Sequence, residues 1–140
     1  MLPMPATKTA KSDSLDAIFD SLLDLLSRYS PPLKSSGGKV RAKRDFHLAI
    51  PKAASIPGAY GGKPVALDLA SIILQKGYVG FYFMPVYIQP SLKKNISPSL
   101  LATLKGKTCF HIKKLDADLL RDIDAALREG AKLYKSRGWL

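Results

Sequence analysis

Seven side chains in this 140-residue chain carry chemistry worth placing: His47, Asp68, Tyr78, Tyr82, Cys109, His111 and Lys113. They include both histidines and the only cysteine. Imidazole, thiolate and carboxylate are ligands for transition metals, and His47, Asp68, Cys109 and His111 would be the set. Histidine also moves protons near neutral pH. The seven come from separate segments, so only a shared sheet face would unite them. A second group, Asp13, Asp16, Asp20 and Asp24, recurs at helical spacing. At roughly 100° per residue these acids form one narrow stripe. The stripe is either a solvated face or a ridge of carboxylate oxygens of the kind hard cations prefer. Other chemistries are missing their parts. No serine sits in a G-x-S-x-G elbow. Cys109 and His111 are neighbours on one strand face, roughly 7 Å apart, too far for a direct dyad. Gly61-Gly62-Lys63-Pro64 lacks the spacing and hydroxyl of a phosphate loop, and Pro64 removes an amide donor.

The elements that would position these residues centre on a hairpin. Two β-branched and aromatic arms between Leu69 and Tyr87 meet at Gln75-Lys76-Gly77. A three-residue loop there pairs Leu74 with Tyr78, Ile72 with Gly80, Ala70 with Tyr82 and Asp68 with Met84. Alternation then sends Leu69, Ile73, Val79, Phe81 and Phe83 to the core. Asp68, Ala70, Tyr78, Gly80, Tyr82 and Met84 take the opposite face. Phe46–Ile50 reads as a strand with His47 outward, and Lys107–Lys113 as another with Cys109, His111 and Lys113 outward. All seven residues therefore share the outer face, where polar residues also belong without any chemical role.

Helices flank these strands. Leu15, Ile18, Phe19, Leu22, Leu26 and Tyr29 define the first, capped by Asp13 or Ser14 and stopped by Pro31-Pro32. The segment from Leu33 to Asp45 suits an exposed edge strand or a long loop, and 51–64 is rich in turns. Pro85, Pro90 and Pro98 punctuate a loop, followed by a short helix capped at Ser97. The final helix starts at Asp116, buries Leu119, Leu120, Ile123, Leu127 and Tyr134, and ends near Gly138. The expected architecture is a flexible arm over 1–13 and one α+β domain over 14–140. That domain is a two-layer sandwich, an antiparallel sheet of about four to six strands with helices packed on one face.

Composition narrows the function classes. An apolar fraction of 46% suits a folded domain. One cysteine rules out an internal disulfide and a cysteine-rich zinc site. The N-terminus has no apolar core of a secretory signal, and no run reaches the roughly 18 apolar residues of a membrane span. These features suggest a cytoplasmic protein without a membrane partner. The formal charge is +11, and nine of the eleven acids lie in Asp13–Asp24 and Asp116–Glu129. The basic middle fits either scattered surface lysines or a nucleic-acid surface, the second with Tyr78, Tyr82 and Tyr87 as stacking platforms.

Three stretches, QKGYVGFYFMPVY, KGKTCFHIKKL and GAKLYKSRGWL, resemble the YdhG-like domain-of-unknown-function family. The resemblance runs from about Ser14 to Trp139. It implies a small sandwich of the architecture shared with frataxin-like and YjbR-like groups, and no established enzymatic activity. Some relatives in that group are described as intracellular iron chaperones with acids on the first helix. By element and charge, Asp13, Asp16, Asp20 and Asp24 correspond. The leading expectation is a small binding or chaperone-like domain, not an enzyme. It would hold a small anionic ligand or a partner protein on the outer face through Tyr78, Tyr82, His111 and Lys113. The alternatives are an iron chaperone and a nucleic-acid accessory protein. A homodimer formed through the same half-apolar face is a further expectation.

Overall fold

The computed structural model describes residues 11–12, 14–38, 44–58 and 60–140. At its centre, β6 (Asp68–Gln75) and β7 (Tyr78–Phe83) form an antiparallel hairpin. The loop has two residues, Lys76 and Gly77, and Gly77 supplies the positive φ, 92°. Gln75 therefore pairs with Tyr78, Ile72 with Phe81 and Ala70 with Phe83. This corrects the register expected from a three-residue loop by one residue. On β7 the expected faces hold; on β6 they exchange at Ala70 and Ile73, whereas Leu69 stays in the core and Asp68 on the outer face, as expected, past the register shift opposite Leu48 and Ala49. Ile72 and Ala70 are buried, and Ile73 turns to the outer face with Ser71.

Around the hairpin the sheet has six antiparallel strands in the order β2-β3-β6-β7-β9-β8. Here β2 is Lys34–Gly37, β3 Asp45–Ala49, β8 Leu104–Lys105 and β9 Cys109–Ile112. The exposed edge strand β2 matches the polar, glycine-ended segment before Asp45. Two further pairs are short: β4 (Ala54–Ser55) with β5 (Pro64–Val65), and β1 (Lys11–Ser12) with β10 (Leu115–Asp116). Lys11 and Ser12 are thus paired backbone rather than part of a free arm. Residues 1–10 lie outside the described residues.

Both long helices cover the same side of the sheet. Helix α1 (Leu15–Ser27) is capped by Ser14, whose hydroxyl accepts from the Ala17 N–H. It buries Ile18, Phe19, Leu22, Leu25 and Leu26 against β6 and β7. Helix α4 (Ala117–Ser136) starts at Asp116, which accepts from the Leu119 N–H at 2.8 Å. Between them lie two short helices, α2 (Pro85–Ile88) and α3 (Pro98–Leu101), and a 3-10 segment over Pro90–Asn95. The region expected as a proline-punctuated loop is therefore mostly helical, because Pro85, Pro90 and Pro98 each sit at a helix start, where the missing N–H costs nothing. Among the described residues no helix is long and apolar enough to cross a membrane.

The inner sheet face presents Phe81, Phe83 and Phe110, with Phe81 centred 5.6 Å from Phe83 and 5.7 Å from Phe110. Each buried ring contributes about 2–3 kcal/mol by removal from water. Gly130 lets α4 come close: a Cβ there would lie 2.8 Å from Phe83 Cζ and from Pro85 Cγ. Two tyrosines tie the elements together, Tyr29 joining the end of α1 to α4 and Tyr134 joining α4 to the sheet. The Tyr29 hydroxyl donates to Asp124 Oδ1 at 2.5 Å, and the Tyr134 hydroxyl donates to the Asp68 carbonyl at 3.0 Å. Burial pushes both phenols far above their ordinary value near 10, with Asp124 adding to the effect at Tyr29.

Two measurements follow from this packing. Gly130→Ala should lower stability by about 1 kcal/mol, because overpacking of about 1–3 kcal/mol exceeds the helix-propensity gain. A stabilised variant in urea unfolding would contradict the close approach. The raised phenols favour the protonated, folded form, so this stability is complete below pH about 10 and declines as pH rises above it. An ultraviolet titration of the six tyrosines should show Tyr29 and Tyr134 ionising only as the fold opens.

Candidate functional site

On the outer face one row of residues crosses all six strands: Ser36, His47, Ser71, Tyr82, Cys109 and Lys105, each facing the next. The two-residue turn creates this row, since it puts Ser71 rather than Ala70 opposite Tyr82. Strand β3 contributes a second polar residue on the same face, Asp45, two positions before His47. Near the other end of β6, a register shift between Leu48 and Ala49 brings Asp68 opposite Ala49. That irregularity lets the Asp68 carboxylate lean back over Ser71.

The result is a continuous hydrogen-bonded cluster. His47 Nε2 lies 2.5 Å from Asp45 Oδ2, and His47 Nδ1 lies 2.8 Å from Ser71 Oγ. Ser71 in turn donates to Asp68 Oδ2 at 3.0 Å. With the serine proton directed at Asp68, both imidazole nitrogens face acceptors. The Asp45 side chain is 0% exposed and that of His47 10%. A buried carboxylate is tolerable only with such partners. Asp68, at 35% side-chain exposure, forms the wet end of the chain.

Above the cluster lies a concavity of about 240 Å³, lined by His47, Asp68, Ser71, Ile73, Tyr82, Met84 and Thr108. Tyr82 forms one wall by lying along its strand over Gly80, where a Cβ would come within 2.7 Å of the ring. Gln75 Nε2 donates to the Tyr82 hydroxyl at 3.1 Å. Burial pushes the Tyr82 phenol up, and the neighbouring Cys109 sulfur adds to this while Gln75 opposes it. Burial likewise pushes the Cys109 thiol up, partly offset by the Tyr82 hydroxyl, so Cys109 is not an activated thiolate.

The order Asp45–His47–Ser71 has the residue types of a nucleophilic triad, but not its setting. Ser71 is nearly buried, and it lies inside a strand paired on both sides. Its backbone is committed to the ladder and offers no oxyanion donors. The cluster holds groups in place and presents acceptors to the concavity. It does not assemble acyl-transfer chemistry.

The residues read from sequence divide among three places. His47, Asp68 and Tyr82 line the concavity. Tyr78 and His111 instead stack on each other further along the sheet, with centroids 3.8 Å apart and planes at 10°. Lys113 lies one residue past β9 and is exposed. Among the described residues, no three His, Cys, Asp or Glu side chains come together as a metal site would require, so His47, Asp68, Cys109 and His111 do not form one set. On α1, Arg44 reaches across to Asp16 at 3.2 Å and Asp20 at 2.6 Å, and Arg28 pairs with Asp24 at 2.7 Å. Asp13 lies outside the described residues. The ridge is thus occupied by guanidinium groups. Sequence reasoning missed Asp45 and Ser71. Asp45 was accessible as the i−2 neighbour of His47, whereas Ser71 depended on the turn length. No family model, curated protein or solved structure matches the chain.

Asp45→Asn should cost about 1.5–3 kcal/mol, the range for a hydrogen bond to a charged group. Urea unfolding checks this, and a loss below about 0.5 kcal/mol would mean the Asp45–His47 contact contributes nothing.

Proposed function

We propose that this protein is a small binding domain, not an enzyme, that holds a small ligand on its outer sheet face over His47. The observation that carries this reading is the concavity itself: a buried, hydrogen-bonded polar floor beneath an apolar rim of Ile73, Tyr82 and Met84. Few convergent polar groups within an apolar lining are the usual composition of a ligand site. The lining changes the expected ligand chemistry. Asp68 is the one carboxylate of its lining, and Asp45 lies behind it, so acceptors dominate. An anion would meet a carboxylate there, and Lys113 is not part of the lining. The preferred ligand is compact, with an apolar body and a cationic or N–H donor group to reach Asp68. The reading places the domain in the cytoplasm, where the single thiol of Cys109 stays reduced.

An NMR titration with benzylamine, benzamide and benzoate tests this. The amine should shift the signals of Ser71, Tyr82 and Thr108 saturably, more strongly than the amide, with benzoate inert. Asp68→Asn should abolish the advantage of the amine over the amide, because the charge that distinguishes them is gone. A response led by benzoate, or none at this face, would overturn the reading.

A further inference from the structure

A second concavity, of about 300 Å³, lies elsewhere in the fold between α2, the 3-10 segment and the turn joining β8 to β9. It is lined by Val86, Tyr87, Pro90, Lys93, Gly106 and Lys107. Its chemistry is the reverse of the outer face. No carboxylate lines it, whereas a third concavity at the start of α4 carries Asp116, Asp118 and Asp122. Neither Lys93 nor Lys107 pairs with an acid among the described residues. The Lys107 ammonium instead rests 5.5 Å from the centroid of the Tyr87 ring. That ring is 48% exposed, one of only two large hydrophobic side chains this open among the described residues.

We propose that this concavity binds a planar organic phosphate of the nucleoside monophosphate class. An exposed aromatic face beside lysines is the combination that stacks a base while neutralising its phosphate. Gly106 takes a φ of 84°, and a Cβ there would meet nothing within 4 Å, so the backbone is open to close approach by a ligand. The walls are preset. Val86 and Leu92 are buried, and the Phe83 N–H donates to the Thr108 carbonyl, fixing the turn against β7. The volume, at the lower end of small-molecule sites, suits a mononucleotide rather than a dinucleotide. This site takes an anion and shares no lining residue with the outer-face concavity, so it stands or falls independently of that reading.

The test is an amide NMR titration of the full chain with adenosine 5′-monophosphate, adenosine and inorganic phosphate, each at low and high salt. The monophosphate should shift Tyr87, Gly106 and Lys107 saturably. Adenosine and phosphate alone should bind at least roughly tenfold more weakly, because each engages only the ring or only the lysines. Tyr87→Ala and Lys107→Ala should each weaken the monophosphate roughly tenfold. Both side chains are at the surface, and an unchanged amide spectrum would show that the fold survives. Four outcomes would overturn the proposal: no saturable shift, shifts spread over lysines such as Lys34, Lys52 and Lys63, phosphate binding as well as the nucleotide, or variants that bind like the parent.

Discussion

The turn at Lys76-Gly77 is two residues long, and that length decides which side chain of β6 faces which layer. Side chains alternate along a strand, so a turn one residue longer would exchange every β6 residue between core and outer face. With two residues, Ile72 and Ala70 join Phe81 and Phe83 beneath the helices. The same choice delivers Ser71 to the outer row, between His47 and Tyr82. Core and site are therefore two consequences of one backbone constraint, and neither can be altered in register without the other.

The outer face keeps a costly arrangement. The Asp45 side chain is fully buried on the sheet face opposite the two long helices, and its neighbour His47 is nearly so. Removing a carboxylate from water costs several kcal/mol unless its partners are well placed. The imidazole, Ser71 and Asp68 form the chain that compensates it. A similar volume of aliphatic side chain would stabilise the sheet as well, so stability alone does not require the cluster. The molecule's net charge of +11 conceals this local character. Acceptors gather over His47, while Lys93 and Lys107, which pair with no acid among the described residues, lie beside Tyr87.

Much of the fold was legible from residue types. Ser14 and Asp116 as caps, Pro98 at a helix start and the core of each long helix's apolar stripe rest on local chemistry and hold in the structure, although Leu119 and Leu120 are only half-buried and Leu133 joins the buried face instead. The six-stranded antiparallel sheet with helices on one side also agrees with the sequence pattern. The misreadings concern geometry that residue types do not set, in one case a local turn length and in others contacts distant in sequence. Apolar residues at both Ile72 and Ile73 fit either register, so composition could not choose the turn length, and Ser71 went unnoticed. The stacking of Tyr78 on His111 joins different strands and diverts a candidate ligand into a structural pair. Arg44 lies far from α1 in sequence, so its bridges to Asp16 and Asp20 could not be read from the helix alone.

A crystallographic fragment screen on the intact chain tests the central claim most directly, because it locates occupants without presupposing them. The account predicts that amine- and amide-bearing fragments collect over His47, with a donor on Asp68 and an apolar body against Ile73, Tyr82 and Met84. Fragments that leave this face empty while binding elsewhere, or acidic fragments seated on Asp68, would contradict it.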